Sequence, residues 1–498
     1  MEAKRRERLW WSLVIATALV GLVLRVAAAQ GGLWTDEAWS MIYAAKAQDP
    51  LGVFLRINHD NNHHLNSLWL QAIGPGASPF LARVPAIAAG SLCIPVAALL
   101  CRRCSRTSGI VAALLFSVAP TFVAFGSEAR GYAMMLLAAL VMLLLVADAL
   151  DGRAVRGARW WLATLAVLGM LSHMTMAATV AISATWFYLE QRAKLGPRLA
   201  IFGAIRLMGP ALAASLAVIL FVFAAAAMSP TGMRLGGNQP FSFENYWAAL
   251  DDLVLWSAGL MSPLPWLVPL ATGAAALLIA LRPPDWAGER IRLYALLVLT
   301  VPIGLAILRP INSGYARYYM MSAAGLLLMM AEWIAQGFQG RPAVRTAAGL
   351  LVVTLIGASL YRDALLIGAD RGRPGIPVRD MASVSPSGAS VAFAEPRLKA
   401  VVAVAAERTG YRARFAGGCD HADFLIAAQS ARSDWPATVR RCGIEMDAID
   451  SSLAIPLTGD SWVLYRAKTL QSLGSADSGR APAAKDRRFS GRAGVAQG

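Results

Sequence analysis

The sequence predicts an α-helical polytopic membrane protein with a small C-terminal α/β domain outside the membrane, and three observations predict it. Of its 498 residues, 57% are apolar and 15% are charged, whereas a soluble protein carries about a quarter charged residues. Runs such as 10–23, 111–123, 134–146 and 347–360 are nearly uncharged. With their flanks, each approaches the roughly 20 residues that cross a bilayer. After Tyr361 the pattern changes to short strand-like segments separated by polar turns.

Hydropathy places about 11 spans, near 9–29, 81–101, 108–125, 131–150, 159–172, 174–190, 199–227, 262–281, 291–308, 318–336 and 343–361. The pair on either side of His173 is short enough to be one bent element. With the N-terminus cytoplasmic, the inner segments read KRRER, RRCSR, GRAVRGAR, QRAKLGPR, RPPDWAGERIR and GRPAVR. These hold 18 basic residues, while the outer segments before 362 hold six: Lys46, Arg56, Arg130, Arg234, Arg309 and Arg317. That asymmetry follows the positive-inside rule. The net charge of +16 is then met by anionic lipid headgroups, and no nucleic-acid partner is needed. The first 30 residues also look like a signal peptide, but Arg25 interrupts the apolar core, which favours a retained first helix.

An odd number of spans puts the C-terminal domain outside. There 391–394 (VAFA), 424–427 (FLIA) and 461–465 (SWVLY) read as strands, and 396–409 reads as a helix opening on a proline. The expected organisation is a membrane domain over 1–361 with outer juxtamembrane helices near 30–80, an α/β domain over 362–467, and a disordered basic tail over 468–498. Cys419 and Cys442 share the exported domain, where a disulfide persists, and are expected to pair. Cys101 and Cys104 form an inner CxxC with no second pair to complete a zinc site; they read as reduced thiols, and Cys93 reads as a core residue of a helix.

Five polar features gather at the outer ends of the spans. LWTDEAWS carries the adjacent acids Asp36 and Glu37, with Thr35 or Asp36 as a helix cap. INHDNNHHLNSLWL holds His59, Asp60, Asn62, His63 and His64; Asn62 reads as a cap. A divalent metal on His59, Asp60 and His63 is the alternative to direct substrate contact. SEARGYA places Glu128, Arg130 and Tyr132 at the start of a span, with an Arg130–Glu128 pair as the plain structural account. His173 lies at a helix turn at membrane depth. NSGYARYYM supplies Arg317 and Tyr318, for which snorkelling is the plain reading. An acid pair, a His/Asn cluster and two arginines on one surface suit transfer from a phosphate leaving group to a hydroxyl. Arginine binds phosphate bidentately, and a carboxylate takes the acceptor proton.

The order of these motifs resembles membrane glycosyltransferases of the GT-C class. It is most similar to the protein-O-mannosyltransferase-like bacterial family, which includes the aminoarabinose transferases of lipid A and lipopolysaccharide galacturonosyl transferases. The resemblance runs over about 9–340 in motif order. It implies a polyprenyl-phosphate sugar donor, an outward-facing cavity and inversion at the anomeric carbon. It also implies Asp36 as general base with Glu37 beside it, Arg130 and Arg317 on the donor phosphate, and His173 in the donor pocket. Asn62, His63 and His64 fall in the second-loop motif, where many relatives have His-Pro-Pro and this chain has His-His-Leu. Tyr132 and Tyr318, in the ARGYA and ARYY motifs, join them as candidate substrate contacts. The acceptor is a lipid, glycan or protein hydroxyl. The expected location is a bacterial inner membrane, and no P-loop or Rossmann fingerprint calls for a nucleotide. The competing class is a transporter or flippase of lipid-linked sugars, which calls for internal repeats and broken helices at mid-membrane.

Overall fold

The computed structural model describes residues 1–153, 155–229, 232–234, 239–259, 267–281, 290–429, 435–455 and 457–468. The expected tail beyond Lys468 lies outside the described residues. Every expected span has a helical counterpart: Glu2–Ala28, Pro79–Arg102, Arg106–Val118 continued by Pro120–Phe125, Tyr132–Leu150, Ala158–Ser172, Met176–Leu195, Pro197–Ala227, Leu267–Leu281, Arg290–Leu308, Met320–Gly337 and Pro342–Ala369. Among the described residues, seven helices are long and apolar enough to cross a membrane, and three shorter apolar helices accompany them. The segment Ala316–Gly337 has 83% of its apolar window buried and forms the centre of the bundle, whereas Pro197–Ala227 has 28% and lies at the rim. On that rim helix Phe202, Leu216, Leu220 and Phe223 point outward, as a lipid-facing surface requires.

Several sequence oddities are explained by backbone carbonyls that a proline leaves without a partner. Pro120 has no N–H for the Phe116 carbonyl four residues before it. Arg25, the charge inside the first span, donates to that carbonyl at 3.1 Å and to the Gly21 carbonyl at 2.9 Å. Arg25 is fully buried, and it sits in a notch where a Cβ on Gly90 or Gly126 would come within 2.9 Å of its Nε. Likewise Pro85 frees the Leu81 carbonyl, and Trp69 Nε1 fills it at 3.0 Å. An arginine that looked like an interruption is therefore part of the helix packing.

The last long helix runs to Ala369, past the expected domain boundary at 361, because Leu355 and Leu366 keep burying apolar surface along it. Beyond it lies one six-stranded sheet: β1 (Ala389–Phe393), β2 (Ala413–Phe415), β3 (Phe424–Gln429), β4 (Thr438–Arg441), β5 (Ile444–Ser452) and β6 (Ser461–Ala467). The order is β2-β1-β3-β6-β5-β4. β1 pairs in parallel with β2 and β3, and the remaining pairs are antiparallel. Helices Ile376–Val384 and Lys399–Thr409 complete the domain. Its core, including Val391, Phe424 and Leu464, is continuous with Met41 and Leu70 from the short helices Thr35–Lys46 and His64–Ile73 of the membrane part.

Cys419 and Cys442 are bonded, with Cα atoms 5.6 Å apart and a sequence separation of 23. Closing a loop of that length removes about 3 kcal/mol of unfolded-state freedom. Reduction is expected to lower the unfolding temperature of the sheet domain while helical content in the membrane part stays unchanged. Thermal circular dichroism with and without reductant checks this. An identical melt in both would show that the bridge is energetically idle.

Candidate active site

One end of the helical bundle and the sheet domain enclose a cavity of about 420 Å³, within the range of small-ligand sites. Its floor is helix Thr35–Lys46, which places Asp36 in the first turn, where the helix dipole favours an acid. The cap is Trp34 rather than Thr35 or Asp36: the Glu37 carboxylate accepts the Trp34 backbone N–H at 3.2 Å. The Thr35 hydroxyl is directed instead at Asp460 of the sheet domain.

Asp36 draws two arginines from far along the chain. Arg130 Nη1 and Arg317 Nη1 both reach Asp36 Oδ2, the latter at 2.8 Å. Among the described residues, no hydrogen bond engages Asp36 Oδ1. Burial works against the charged carboxylate, but Arg130 and then Arg317 outweigh it, and the Asp36 pKa falls below its ordinary value. Arg317 leans over the Tyr315 ring, 4.4 Å from its centroid, and among the described residues its buried Nε has no hydrogen-bond partner. The plain alternative, an Arg130–Glu128 pair, is absent among the described residues. Glu128 takes Arg371 instead, at 2.9 Å.

Behind Arg130 stands His63. The His63 Nδ1 bonds the Ser172 carbonyl at 3.0 Å, so that nitrogen carries the proton. The His63 Nε2 then accepts from Arg130 Nη2 at 2.9 Å. Burial first, and then the Arg130 charge, hold the His63 pKa well below the usual histidine value, which keeps it a neutral acceptor. Gly131 makes this approach possible, since a Cβ there would sit 1.9 Å from the Ser172 carbonyl oxygen. His173 packs with its ring tilted against Tyr132 at 4.7 Å and against His63 at 5.0 Å between ring centroids.

The cavity wall therefore holds Asp36, Arg130, Arg317, Tyr318, His59 and Asp60 of the expected residues. Glu37, Asn62, His63, His64, Tyr132 and His173 lie behind the wall. Glu37 is fully buried against Arg83, Oε2 to Nη2 at 2.6 Å and Oε1 to Nε at 2.9 Å. It also accepts the Ala129 N–H at 2.7 Å, so it braces the Arg130 loop rather than facing the cavity. Asn62 is not a cap. Its amide donates to the Val53 and Ile57 carbonyls at 2.8 and 3.0 Å, and helix His64–Ile73 begins after His63. His64 stacks on Phe54, and burial pushes its pKa down to about 4. The possible metal triad does not assemble: His59 pairs with Asp60 at 2.8 Å while His63 turns to Arg130. Among the described residues, no three His, Cys, Asp or Glu side chains are grouped to hold a metal.

Several residues of the site carry weaker signals in the sequence. Asn61 donates to the Asp36 carbonyl and to Ser40 Oγ, both at 3.0 Å. Arg397 and Asp460 close the roof with a 2.9 Å ion pair, and Trp39 Nε1 donates to the Arg397 carbonyl at 3.1 Å. Arg83 was detectable as a charge inside an apolar span. Arg397 and Asp460 have no such mark, because polar residues are ordinary in a sheet domain outside the apolar spans.

Residues 67–224 match the family described as dolichyl-phosphate-mannose-protein mannosyltransferase. Among solved structures, ArnT from Cupriavidus metallidurans in the apo state aligns with a TM-score of 0.50 at 13% identity, over 92% of this chain and 98% of that one. The same protein bound to undecaprenyl phosphate aligns at 0.49 and 14% identity, over 91% and 98%. An Archaeoglobus fulgidus oligosaccharyltransferase in the apo form aligns at 0.48 and 11%, over 81% of this chain and 64% of that one. No curated protein sequence matches the chain. Residues 67–224 are thus similar to that mannosyltransferase family, and the chain as a whole shares the GT-C fold of the apo ArnT structure.

Proposed function

We propose that the protein moves a sugar from a polyprenyl-phosphate-linked donor to a hydroxyl acceptor on the outer face of a bacterial plasma membrane. The reading rests on one observation above all: Arg130 and Arg317 converge on Asp36 Oδ2 inside the cavity. Two guanidiniums on one carboxylate form a ready anion site, and a phosphate competes for it with more acceptor oxygens. The matched family's own description names a dolichyl-phosphate sugar. A lipid-borne donor also suits a pocket at the ends of membrane spans. The distribution of basic residues supports a cytoplasmic N-terminus, which puts the cavity and the sheet domain outside.

The chemistry runs as a single displacement. The acceptor oxygen attacks the anomeric carbon, the bond from that carbon to the phosphate oxygen breaks, and the polyprenyl phosphate leaves as an anion. Arg130 and Arg317 stabilise that anion, with neutral His63 holding Arg130 in place. The acceptor proton goes to Asp36 Oδ1, the oxygen with no hydrogen bond among the described residues. Tyr315 and Tyr318, with Trp39 and Tyr43, supply flat surfaces for sugar rings. Arg397 and Asp460 bring the sheet domain into the acceptor side of the cavity.

Arg317→Ala is expected to weaken donor binding by about 10- to 100-fold, the range for losing a hydrogen bond to a charged group. Acceptor affinity is expected to stay within about twofold, well inside the energy of a single hydrogen bond. Titration of the purified protein with a polyprenyl phosphate measures the first, and steady-state transfer in proteoliposomes measures the second. Unchanged donor affinity would remove Arg317 from the phosphate site. Comparing the lipid and glycan profiles of cells with and without the protein identifies the acceptor.

A further inference from the structure

A second outer cleft, of about 450 Å³, lies where the sheet domain meets the membrane part, and it shares no lining residue with the cavity around Asp36. Its walls come from the outer ends of three candidate spans. Ala29–Gly32 follow the first, Ser78–Phe80 open the second, and Asp370 belongs to the end of the last. The cleft is therefore level with the boundary between hydrocarbon and headgroups.

Arg373, Arg379 and Arg408 line this cleft. Among the described residues, the side chains of Arg373 and Arg408 make no hydrogen bond or ion pair, and Arg379 has only its neighbour Asp380 at 4.0 Å. The one acid in the wall, Asp370, packs against Gly31, where a Cβ would lie 1.9 Å from Oδ1, and it interacts electrostatically with Arg83, Arg371 and Arg373, so three cleft arginines face a single carboxylate. The local charge is thus clearly positive. The backbone that presents Arg373 is unusual: Asp370, Arg371, Gly372 and Arg373 have φ of 43°, 52°, 76° and 51°. Left-handed conformations at three non-glycine residues persist only where surrounding contacts hold them. Arg371 supplies that hold by burying its guanidinium against Glu128, Ser127 and Thr458. Phe80, 40% exposed at the lip, and Ile376 give the cleft an apolar side.

We propose that this cleft binds the phosphate of a membrane phospholipid in the leaflet on the Asp36 side, pinning the sheet domain to the bilayer. Guanidiniums take the phosphate oxygens, and Phe80 and Ile376 meet the glycerol and the first acyl carbons. A soluble phosphate presents the same oxygens but no apolar portion.

The test uses the full-length, delipidated protein in detergent, titrated with short-chain phosphatidylglycerol and read by native mass spectrometry. The triple variant Arg373→Gln/Arg379→Gln/Arg408→Gln is expected to bind one lipid fewer, or that lipid at least about tenfold more weakly, the effect of losing about one charged hydrogen bond. Diacylglycerol is expected not to occupy the site, and inorganic phosphate is expected not to displace the lipid at equal concentration. Arg408→Gln alone, at an exposed helix position, gives a smaller loss in the same direction and guards against misfolding of the triple variant. Unchanged lipid binding overturns the proposal, as does an equal loss in Arg153→Gln, a variant of a basic residue outside this cleft. Full displacement by inorganic phosphate overturns the lipid assignment. Donor affinity at Arg130 and Arg317, measured in parallel, is expected to be unaltered, which separates failure here from failure of the transferase reading.

Discussion

Asp36→Asn is expected to lower the transfer rate by about a thousandfold, within the range for a lost general base, while donor binding becomes no weaker. The amide is nearly the same size but does not accept the acceptor's proton. It also releases Arg130 and Arg317 from a competing anion, which leaves the phosphate site at least as available as before. This divergence of turnover from donor affinity distinguishes a base from a residue that merely organises the two arginines. Single-turnover transfer together with polyprenyl-phosphate titration reads both quantities. Near-normal turnover would exclude Asp36 from the chemistry.

The same ion pairs fix the pH behaviour. In the free protein the Asp36 pKa is depressed, so the carboxylate is ionised throughout the range above its ordinary value of 3.8. kcat/KM reports the free enzyme and is expected to show no acid limb from Asp36 above that pH. Once donor phosphate draws the arginines away, Asp36 loses the charges that lower its pKa while its burial remains. The acid limb of kcat is then expected at higher pH than that of kcat/KM. Coincident limbs would mean that the arginines stay on Asp36 during turnover.

The second large effect is on stability. Glu37 and Arg83 are both fully buried, and removing one member of such a pair costs roughly 3–5 kcal/mol, because the other charge is left without its counterpart. Arg83→Met is therefore expected to lower the unfolding temperature sharply and to reduce transfer, although Arg83 lines no part of the cavity. The loss of transfer follows from the brace: Glu37 ties the Trp34 and Ala129 backbones together and so sets the spacing between Asp36 and Arg130. The double variant Glu37→Gln/Arg83→Met removes both charges and is expected to recover part of the stability of Arg83→Met. Thermal unfolding in detergent checks the cycle. Strictly additive losses would show that the two residues do not act as a pair.

Much of this protein is written in local patterns. A span has to be apolar over its whole length whatever surrounds it, so hydropathy alone located the helices. Asp36, Arg130 and Arg317 stood out for the same reason, since charge beside hydrocarbon is costly unless it is used. Their order along the chain matched a known class before their partners were visible. β1, β3 and β6 were also legible, as apolar runs in the middle of the sheet. β4 and β5, reading TVRR and IEMDAIDSS, were not, because they lie toward one edge and are largely exposed.

What folding decided was the pairing. Nothing in a row of residues says that adjacent acids will part company, Asp36 to Arg130 and Arg317 in the cavity, Glu37 to Arg83 within the protein. Nor does it say that His63 will serve an arginine rather than a metal, or that Arg371 will take Glu128 from Arg130. Each outcome joins side chains tens to hundreds of residues apart, and each depends on angles set by helix packing. Hydropathy is a property of a segment, whereas an ion pair is a property of two places brought together, and only the packed bundle with its sheet domain brings them together.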